Sequence, residues 1–151
     1  MSRLSVTVTG TPGAQGSKRH VGNGVLVESS AKVKPWRQDV RAAVEQAMTA
    51  HDRWHSAALG PVSVAIVFRF RRPKSHYRTG RNAHLLRDAA PTHPTSRGLG
   101  DADKLARSTL DAIVSAGAIG DDSQVVSLRV HKVWGAPVGA DVIVDTLEVA
   151  S

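Results

Sequence analysis

The sequence predicts an α+β fold: a single domain with a mixed β-sheet and two main helices. A length of 151 residues fits one domain. Because 41% of the residues are hydrophobic, the chain can form a real core. Its apolar residues recur with a period of two in some segments and about 3.6 in others, in the order strand, hairpin, helix, strand, helix, strand, strand.

The first four elements follow from local patterns. Residues 4–8 alternate apolar with polar side chains, which predicts a half-buried strand. An Asn-Gly pair at 23–24 lies between short apolar runs and indicates a small hairpin. A proline suited to a first helical turn opens a helix over about 35–50. Apolar residues at every second position of 62–70 predict a strand.

The second half contains a long irregular segment before the last three elements. The 71–100 loop has no clear period, and its length indicates either a functional excursion or a mobile segment; its charge favours the first. A helix is predicted over about 103–116, with Gly117 as its stop. Strands at about 124–134 and 141–149 complete the chain.

Charge is divided unevenly along the chain, which carries +7 in total. The basic segment, residues 69–97, holds eight Lys or Arg and one acid, whereas residues 98–151 hold four basic and eight acidic residues. Basic surface of this kind favours a polyanionic partner, most commonly nucleic acid. The alternative is a basic protein that is merely soluble.

Several function classes are excluded or disfavoured. The absence of cysteine excludes disulfide scaffolds, thiolate zinc sites and cysteine nucleophiles, and the scattered histidines argue against other zinc sites. No stretch has 18 uninterrupted apolar residues, and the first ten residues lack a signal-peptide core, so we expect a cytoplasmic protein without membrane contact. Residues 10–18 lack the order and spacing of a phosphate loop, so no nucleotide cofactor is expected.

Carboxylates in the acidic third indicate a cation site. Asp101 and Asp103 would point the same way in an extended segment entering a helix, with Asp103 as the helix N-cap and Arg107 one turn above it. Asp122 begins a strand, and we expect it to return towards the same helix end. Clustered carboxylates commonly hold a hard cation such as Mg²⁺.

Each of these motifs also has a plain structural interpretation. An aspartate before a helix is an ordinary cap, and Gly-Asp-Asp-Ser is an ordinary turn. Their combination with a preceding basic segment favours a metal-dependent nuclease. Lys132 continues the apolar face of Val126, Leu128 and Val130, either as a lysine extending to solvent at a strand end or as a cation aimed at a phosphate near Asp122.

These motifs resemble the signature of RusA-type Holliday-junction resolvases, small phage- and prophage-associated endonucleases. That signature runs D-x-D-N-L-x-K, D-A-L, D-D-x-Q-V and a downstream lysine; the corresponding residues are 101–107, 110–112, 121–125 and Lys132. The first strand and residues 16–19 and 34–36 are similar to the N-terminal part of family members, and residues 73–77 look like an insertion of actinobacterial and actinophage versions.

The resemblance implies roles for residues of the acidic third. Arg107 occupies the position of the family's usual catalytic lysine and Lys104 that of its usual asparagine. Arginine does not give up its proton, which favours charge stabilisation for Arg107, while Lys104 would supply part of the missing ammonium function. By position, the metal ligands would be Asp101, Asp103 and Asp122, holding Mg²⁺ or, as a substitute, Mn²⁺, and the accessory groups would be Asp121, Lys104 and Lys132.

The resemblance therefore predicts a RusA-like endonuclease domain over residues 1–151 that resolves four-way-junction DNA in recombination and repair. Paired cuts need two active sites, so we expect a homodimer. The expected location is the cytoplasm of a bacterium or phage-infected cell, in association with the nucleoid. Two alternatives remain: a non-catalytic branched-DNA-binding protein, and a Mg²⁺ nuclease acting on flaps or RNA. The predicted DNA-binding residues are Lys18, Arg19, Arg69, Arg71, Arg72, Lys74, Arg78, Arg81 and Arg87.

Overall fold

The predicted α+β class is confirmed by two layers, a mixed sheet and a pair of helices that cover one of its faces. The computed structural model describes residues 2–16, 31–51, 54 and 60–147, and the backbone alone of 18–20 and 26–28. The elements in chain order are β1 (Arg3–Thr9), β2 (Lys18–His20), β3 (Leu26–Glu28), α1 (Val33–Thr49), β4 (Val62–Phe70), α2 (Ala102–Ser115), β5 (Val125–Trp134) and β6 (Gly139–Thr146).

The main sheet has the strand order β1-β6-β4-β5. Strand β6 pairs antiparallel with both β1 and β4, whereas β4 and β5 run parallel. The parallel pair requires a crossover between its strands, and α2 lies in that connection. Strands β2 and β3 form the predicted hairpin as a separate antiparallel pair. The Asn-Gly turn predicted at 23–24 lies outside the described residues.

The core lies between the helices and the covered face of the sheet. Every second side chain of β4, from Val62 to Phe70, is buried, as the alternation predicts. The ring of Phe68 lies 6.2 Å from that of Trp36 in α1, measured between centroids. The indole nitrogen of Trp36 donates to Thr109 Oγ1 in α2 at 3.1 Å. This hydrogen bond satisfies two buried polar groups and joins the helices across the core.

Most predicted boundaries are confirmed within a few residues. Helix α2 begins and ends one residue earlier than expected, and Gly117 adopts a φ of +87°, the left-handed conformation that ends helices. Asp103 is not the N-cap as predicted, because the helix begins earlier and Asp101 occupies that position. The last strand starts at Gly139 and ends at Thr146, whereas residues 148–151 are outside the described part.

Strand β5 differs from its sequence-based interpretation in burial. Val126 and Leu128 remain 63% and 46% exposed, although their alternation suggested a covered apolar face. Edge position alone is not the reason, because β1 is the other edge of the sheet and buries Leu4, Val6 and Val8 where α1 packs against it. The helices cover that edge and leave Val126 and Leu128 of β5 open to solvent. Val126 also lies at a shift of register and has no partner in β4.

The 71–100 loop is built from short hydrogen-bonded turns. Three 3-10 turns occur along it, and Tyr77 pairs with Leu86 in a single antiparallel bridge. Backbone hydrogen bonds from Arg78 to Leu85 and from Arg87 to His76 flank that bridge. These bonds satisfy backbone groups that lack a regular element. Within the ranges that the structure describes, neither helix is long and apolar enough to cross a membrane.

Candidate functional site

The amino end of α2 presents Asp101 to solvent. Asp101 occupies the N-cap position, but its side chain makes no capping hydrogen bond. Gly100 precedes it with a φ of +104°, and a Cβ there would lie 2.7 Å from the Cβ of Ala14. Glycine therefore allows both the backbone conformation and the close approach of residues 10–16. The Asp101 carboxylate is thus carried by a tightly packed backbone.

Cations surround this end of the helix. Asp101 lines a cavity of about 240 Å³ together with Lys32, Arg97 and Lys104. The Nζ of Lys104 lies 3.4 Å from Oδ2 of Asp101, and both side chains are about half exposed. One carboxylate among three cations gives this cavity a positive charge, which suits a phosphate group beside Asp101.

Asp103 and Arg107 lie further along α2 and are both exposed. They are four residues apart, so they project from one face of the helix on successive turns. Neither side chain makes a hydrogen bond or ion pair with another described residue. The face that carries them is therefore available to a substrate.

Asp122 lies beside the second half of α2, not at its beginning. It lines a cavity of about 280 Å³ with Arg37, Asp111, Ser115 and Asp121. The hydrogen bond with the Asp121 carboxyl, partial loss of hydration, and repulsion from Asp121 and Asp111 raise the pKa of Asp122. A backbone hydrogen bond from Ser123 to Asp121 at 2.8 Å lowers the pKa of Asp121.

In a single chain, Asp122 therefore does not lie at the amino end of α2, where it was predicted to return. A helix of 14 residues is about 21 Å long, and only a short turn connects its carboxyl end to Asp122. Among the described residues, no group of three or more His, Asp or Glu side chains is placed to hold a metal ion. Asp101, Asp103 and Asp122 thus do not form a three-carboxylate ion site in this structure.

Lys132 lies close to Asp101 and far from the place predicted for it. Its Nζ donates to the backbone oxygen of Gly100 at 2.9 Å, and the side chain is half-buried. This hydrogen bond joins β5 to the residue that precedes the Asp101 cap. Lys132 therefore positions the backbone that carries Asp101, and neither of the two sequence-based interpretations described this contact.

The nine predicted DNA-binding residues divide into one that is paired within the sheet, two of which the backbone alone is described, and six that are exposed or half-exposed. Arg69 is only 12% exposed, forms an ion pair with Asp141 of β6 and donates to the oxygen of Pro137. It therefore stabilises the sheet, and the ion pair that neutralises its charge argues against its predicted role in binding DNA. Lys18 and Arg19 lie in β2, of which the backbone alone is described. The exposed or half-exposed members are Arg71, Arg72, Lys74, Arg78, Arg81 and Arg87.

Sequence reasoning missed an aromatic group beside these cations. Trp134, the last residue of β5, lies under the guanidinium of Arg72, 5.1 Å from the ring centroid. The two residues are distant in sequence, and the parallel pairing of β4 with β5 brings them together. The sequence signal that could have indicated this group was the tryptophan at the end of the predicted strand 124–134.

A cationic surface together with carboxylates at the end of a packed helix is typical of nucleic-acid-processing proteins. The family model for endodeoxyribonuclease RusA matches residues 9–145, and the chain belongs to that family. The predicted family and fold are confirmed. Members of this family are hydrolytic nucleases that act on branched DNA junctions and generally depend on a divalent metal. No curated protein matches the chain.

Proposed function

We propose that this chain resolves four-way DNA junctions in recombination or repair, as a crossover-junction endodeoxyribonuclease with Mg²⁺ as cofactor. The observation that carries the proposal is the family match, which extends over residues 9–145 and includes every carboxylate of the candidate site. The exposed cations of the basic segment support it, because branched DNA is a dense polyanion. A DNA substrate supports a proposed location in the cytoplasm, in association with the nucleoid.

Asp101, Asp103 and Asp122 are the proposed metal-binding carboxylates. Their oxygens are the ligand type that Mg²⁺ prefers, and Mn²⁺ is the expected substitute. Because Asp101 and Asp122 line separate cavities in one chain, the three carboxylates are proposed as individual ligands and not as one assembled site. Cleavage assays and metal titration of single variants test each assignment separately.

The neighbouring polar residues have proposed roles that follow from their contacts. Arg107 is exposed without an ion pair to any described residue, which suits stabilisation of charge on a phosphate. Lys104 lies beside Asp101 and supplies a second cation at the same place. Asp121 accepts a hydrogen bond from Ser123 and acts as an accessory acid that orients the turn before β5.

A homodimer is the proposed assembly, because cutting both strands of a junction requires two active sites. Strand β5 supports this proposal: it is one of the two edge strands of the sheet and exposes Val126 and Leu128. Unpaired edge backbone together with exposed apolar side chains is typical of surfaces that pair with another chain.

Incubation of the full chain with a synthetic four-way junction tests the function. We expect nicks in opposite strands with Mg²⁺ or Mn²⁺, none with EDTA, and little cleavage of linear duplex. Asp103→Asn should abolish cleavage, whereas Asp39→Asn should not. Asp39 is a matched control because it is exposed on α1 and outside the candidate site.

A non-catalytic branched-DNA-binding protein is the second candidate. It is favoured by the separation of Asp122 from Asp101 and by Arg107 and Lys104 in place of the family's usual residues. Junction binding in EDTA without nicks in either metal would support it and overturn the nuclease. Preferential cleavage of a flap or an RNA hybrid would instead show a nuclease of different specificity.

A further inference from the structure

We propose that the cavity between the start of the 71–100 loop and the end of β5 binds an unpaired nucleotide of branched DNA. The proposal rests on the proposed function and adds to it a subsite that contacts a base. The rest of the basic segment has no comparable aromatic lining and would contact phosphates alone. The cavity has a volume of about 810 Å³, which lies in the range of cavities that bind small ligands.

The lining of this cavity combines cations with aromatic rings. Arg71, Arg72 and Lys74 supply three positive charges, and no carboxylate lines the cavity. Tyr77 and Trp134 supply the rings. A nucleotide matches this lining, since it consists of an anionic phosphate and a flat base that stacks on aromatic or guanidinium planes.

Trp134 is held in a defined orientation. Its indole nitrogen donates to the backbone oxygen of Pro91 at 3.1 Å, and the ring of His76 meets it edge-on with centroids 5.2 Å apart. Arg72 lies over the ring, and its Nη1 is 3.3 Å from Nδ1 of His76. Because Arg72 has no carboxylate partner within the described residues, its planar cation remains available to an anion or a base.

The backbone on both sides of the cavity is also fixed. The N–H of Tyr77 donates to the oxygen of Lys74 at 3.0 Å, and Tyr77 is bridged to Leu86. On the opposite side, the N–H of Gly135 donates to the oxygen of Phe70 at 2.9 Å. The cavity is therefore formed in the DNA-free chain, so little free energy is needed to order it when a nucleotide binds.

Linear duplex DNA offers phosphates but keeps its bases paired and stacked. A branch point, a gap or a single strand also offers a base face. The cavity would therefore increase affinity for DNA with unpaired bases relative to duplex, in addition to the general attraction of the basic segment for phosphates.

Binding of short DNA by the full chain in EDTA tests this proposal without cleavage. The probes are a fluorescent oligothymidylate, a blunt duplex of equal length and free thymidine monophosphate. We expect Tyr77→Leu to weaken oligothymidylate binding at least about fivefold, the lower end of the effect of losing one base stack, and to leave duplex binding unchanged. Tyr77→Phe should bind like the unmodified chain, because the ring and not the hydroxyl is required.

His84→Leu is the matched control, since His84 is an exposed ring of the same loop that does not line the cavity. Intrinsic fluorescence gives a second readout. Trp36 and Trp54 are buried, so quenching by oligothymidylate should come from Trp134 and disappear in Trp134→Phe. Circular dichroism of each variant shows that it has folded.

Three outcomes would overturn the proposal: equal losses for duplex and oligothymidylate in Tyr77→Leu, an effect of His84→Leu as large as that of Tyr77→Leu, or thymidine monophosphate binding as tightly as the oligonucleotide. The last would indicate a site for free nucleotides. Junction cleavage with Mg²⁺ is measured on the same preparations. If the unmodified chain binds oligothymidylate but does not cleave the junction, the proposed nuclease is rejected and the subsite is retained. If the unmodified chain cleaves the junction but Tyr77→Leu binds oligothymidylate as tightly as the unmodified chain, the base subsite is rejected and the nuclease is retained.

Discussion

The basic segment is almost wholly cationic, with eight basic residues and one acid, whereas helix α2 carries two acids and two bases, and the two regions are built differently. Cations of the basic segment such as Lys74 and Arg81 project from short turns into solvent. The acidic residues Asp101 and Asp103 are carried by a helix whose opposite face is fully buried through Leu105, Thr109 and Ile113. Substitution on the two surfaces should therefore affect the protein in different ways.

The difference has a physical reason. Binding a phosphate backbone needs positive charge of the right density, which flexible side chains on turns provide. Cleavage needs groups held in a defined place relative to one phosphate, which a helix packed into a core provides. We therefore expect basic substitutions to weaken binding gradually and acidic ones to abolish cleavage.

Asp101→Asn should have the largest effect. We expect a loss of junction cleavage between about 100- and 10,000-fold, the range for removing one essential acid–base or charge-stabilising group. Junction affinity in EDTA should remain unchanged or increase, because a negative charge is removed beside Lys104. Initial cleavage rates at saturating protein check this, with Asp39→Asn in parallel. A rate equal to that of the unmodified chain would remove Asp101 from the site.

Stability should separate the two regions next. Ile113→Ala creates a cavity under α2 and should lower the free energy of unfolding by about 2–5 kcal/mol. Arg81→Ala removes an exposed side chain and should change it by no more than about 0.5 kcal/mol. Urea denaturation of both variants measures the difference, and equal losses would show that the basic segment is part of the cooperative core.

The salt dependence of binding reports how many phosphates the basic segment neutralises. Replacing Arg71 and Lys74 together by alanine should reduce the slope of log affinity against log salt by about 0.9 for each phosphate that is no longer neutralised. Fluorescence anisotropy with duplex DNA at several salt concentrations gives the slope. Arg69→Lys serves as a comparison. Because Arg69 forms an ion pair with Asp141, this substitution should leave the slope unaltered.

A charge pair outside both regions should give the smallest effect. Arg3 donates two hydrogen bonds to Asp145, at 2.7 and 3.0 Å, which lower the pKa of that carboxyl. The pair therefore stabilises the fold at neutral pH, and its contribution disappears as the pH falls through the lowered pKa. Asp145→Asn should slightly reduce Tm at pH 7. In strong acid the Tm of the variant should equal that of the unmodified chain. A Tm difference that persists in acid would contradict the ionic origin of this effect.

Local patterns predicted the elements of the fold well, because each depends on the residues within it. The bounds of β4 at 62–70 were predicted in full, since five alternating apolar residues define both the strand and its buried face. The predicted range of α2 began one residue too late, and the N-cap was therefore assigned to Asp103 and not to Asp101. Cap positions depend on the backbone at a single residue and are the least certain part of such a prediction.

Contacts between distant segments were predicted poorly. The motif spacing suggested that Asp122 meets Asp101, but the length of α2 separates them. The contact of Lys132 with Gly100 and that of Arg72 with Trp134 depend on how β5 lies along β4. Sequence spacing alone contains no information about that register. The exposure of Leu128 likewise depends on how far the helices cover the sheet, which no local pattern reports.

The basic segment should bind junction DNA, and Asp101 and Asp103 at the amino end of α2 should be needed to cut it. Binding in EDTA and cleavage in Mg²⁺ should be measured on one junction with two double variants, Asp101→Asn with Asp103→Asn, and Arg71→Ala with Lys74→Ala. The acidic variant should bind like the unmodified chain and make no nicks, whereas the basic variant should bind more weakly and cut once its concentration is raised. Cleavage by the acidic variant at the unmodified rate, or unchanged binding by the basic one, would contradict this division of roles.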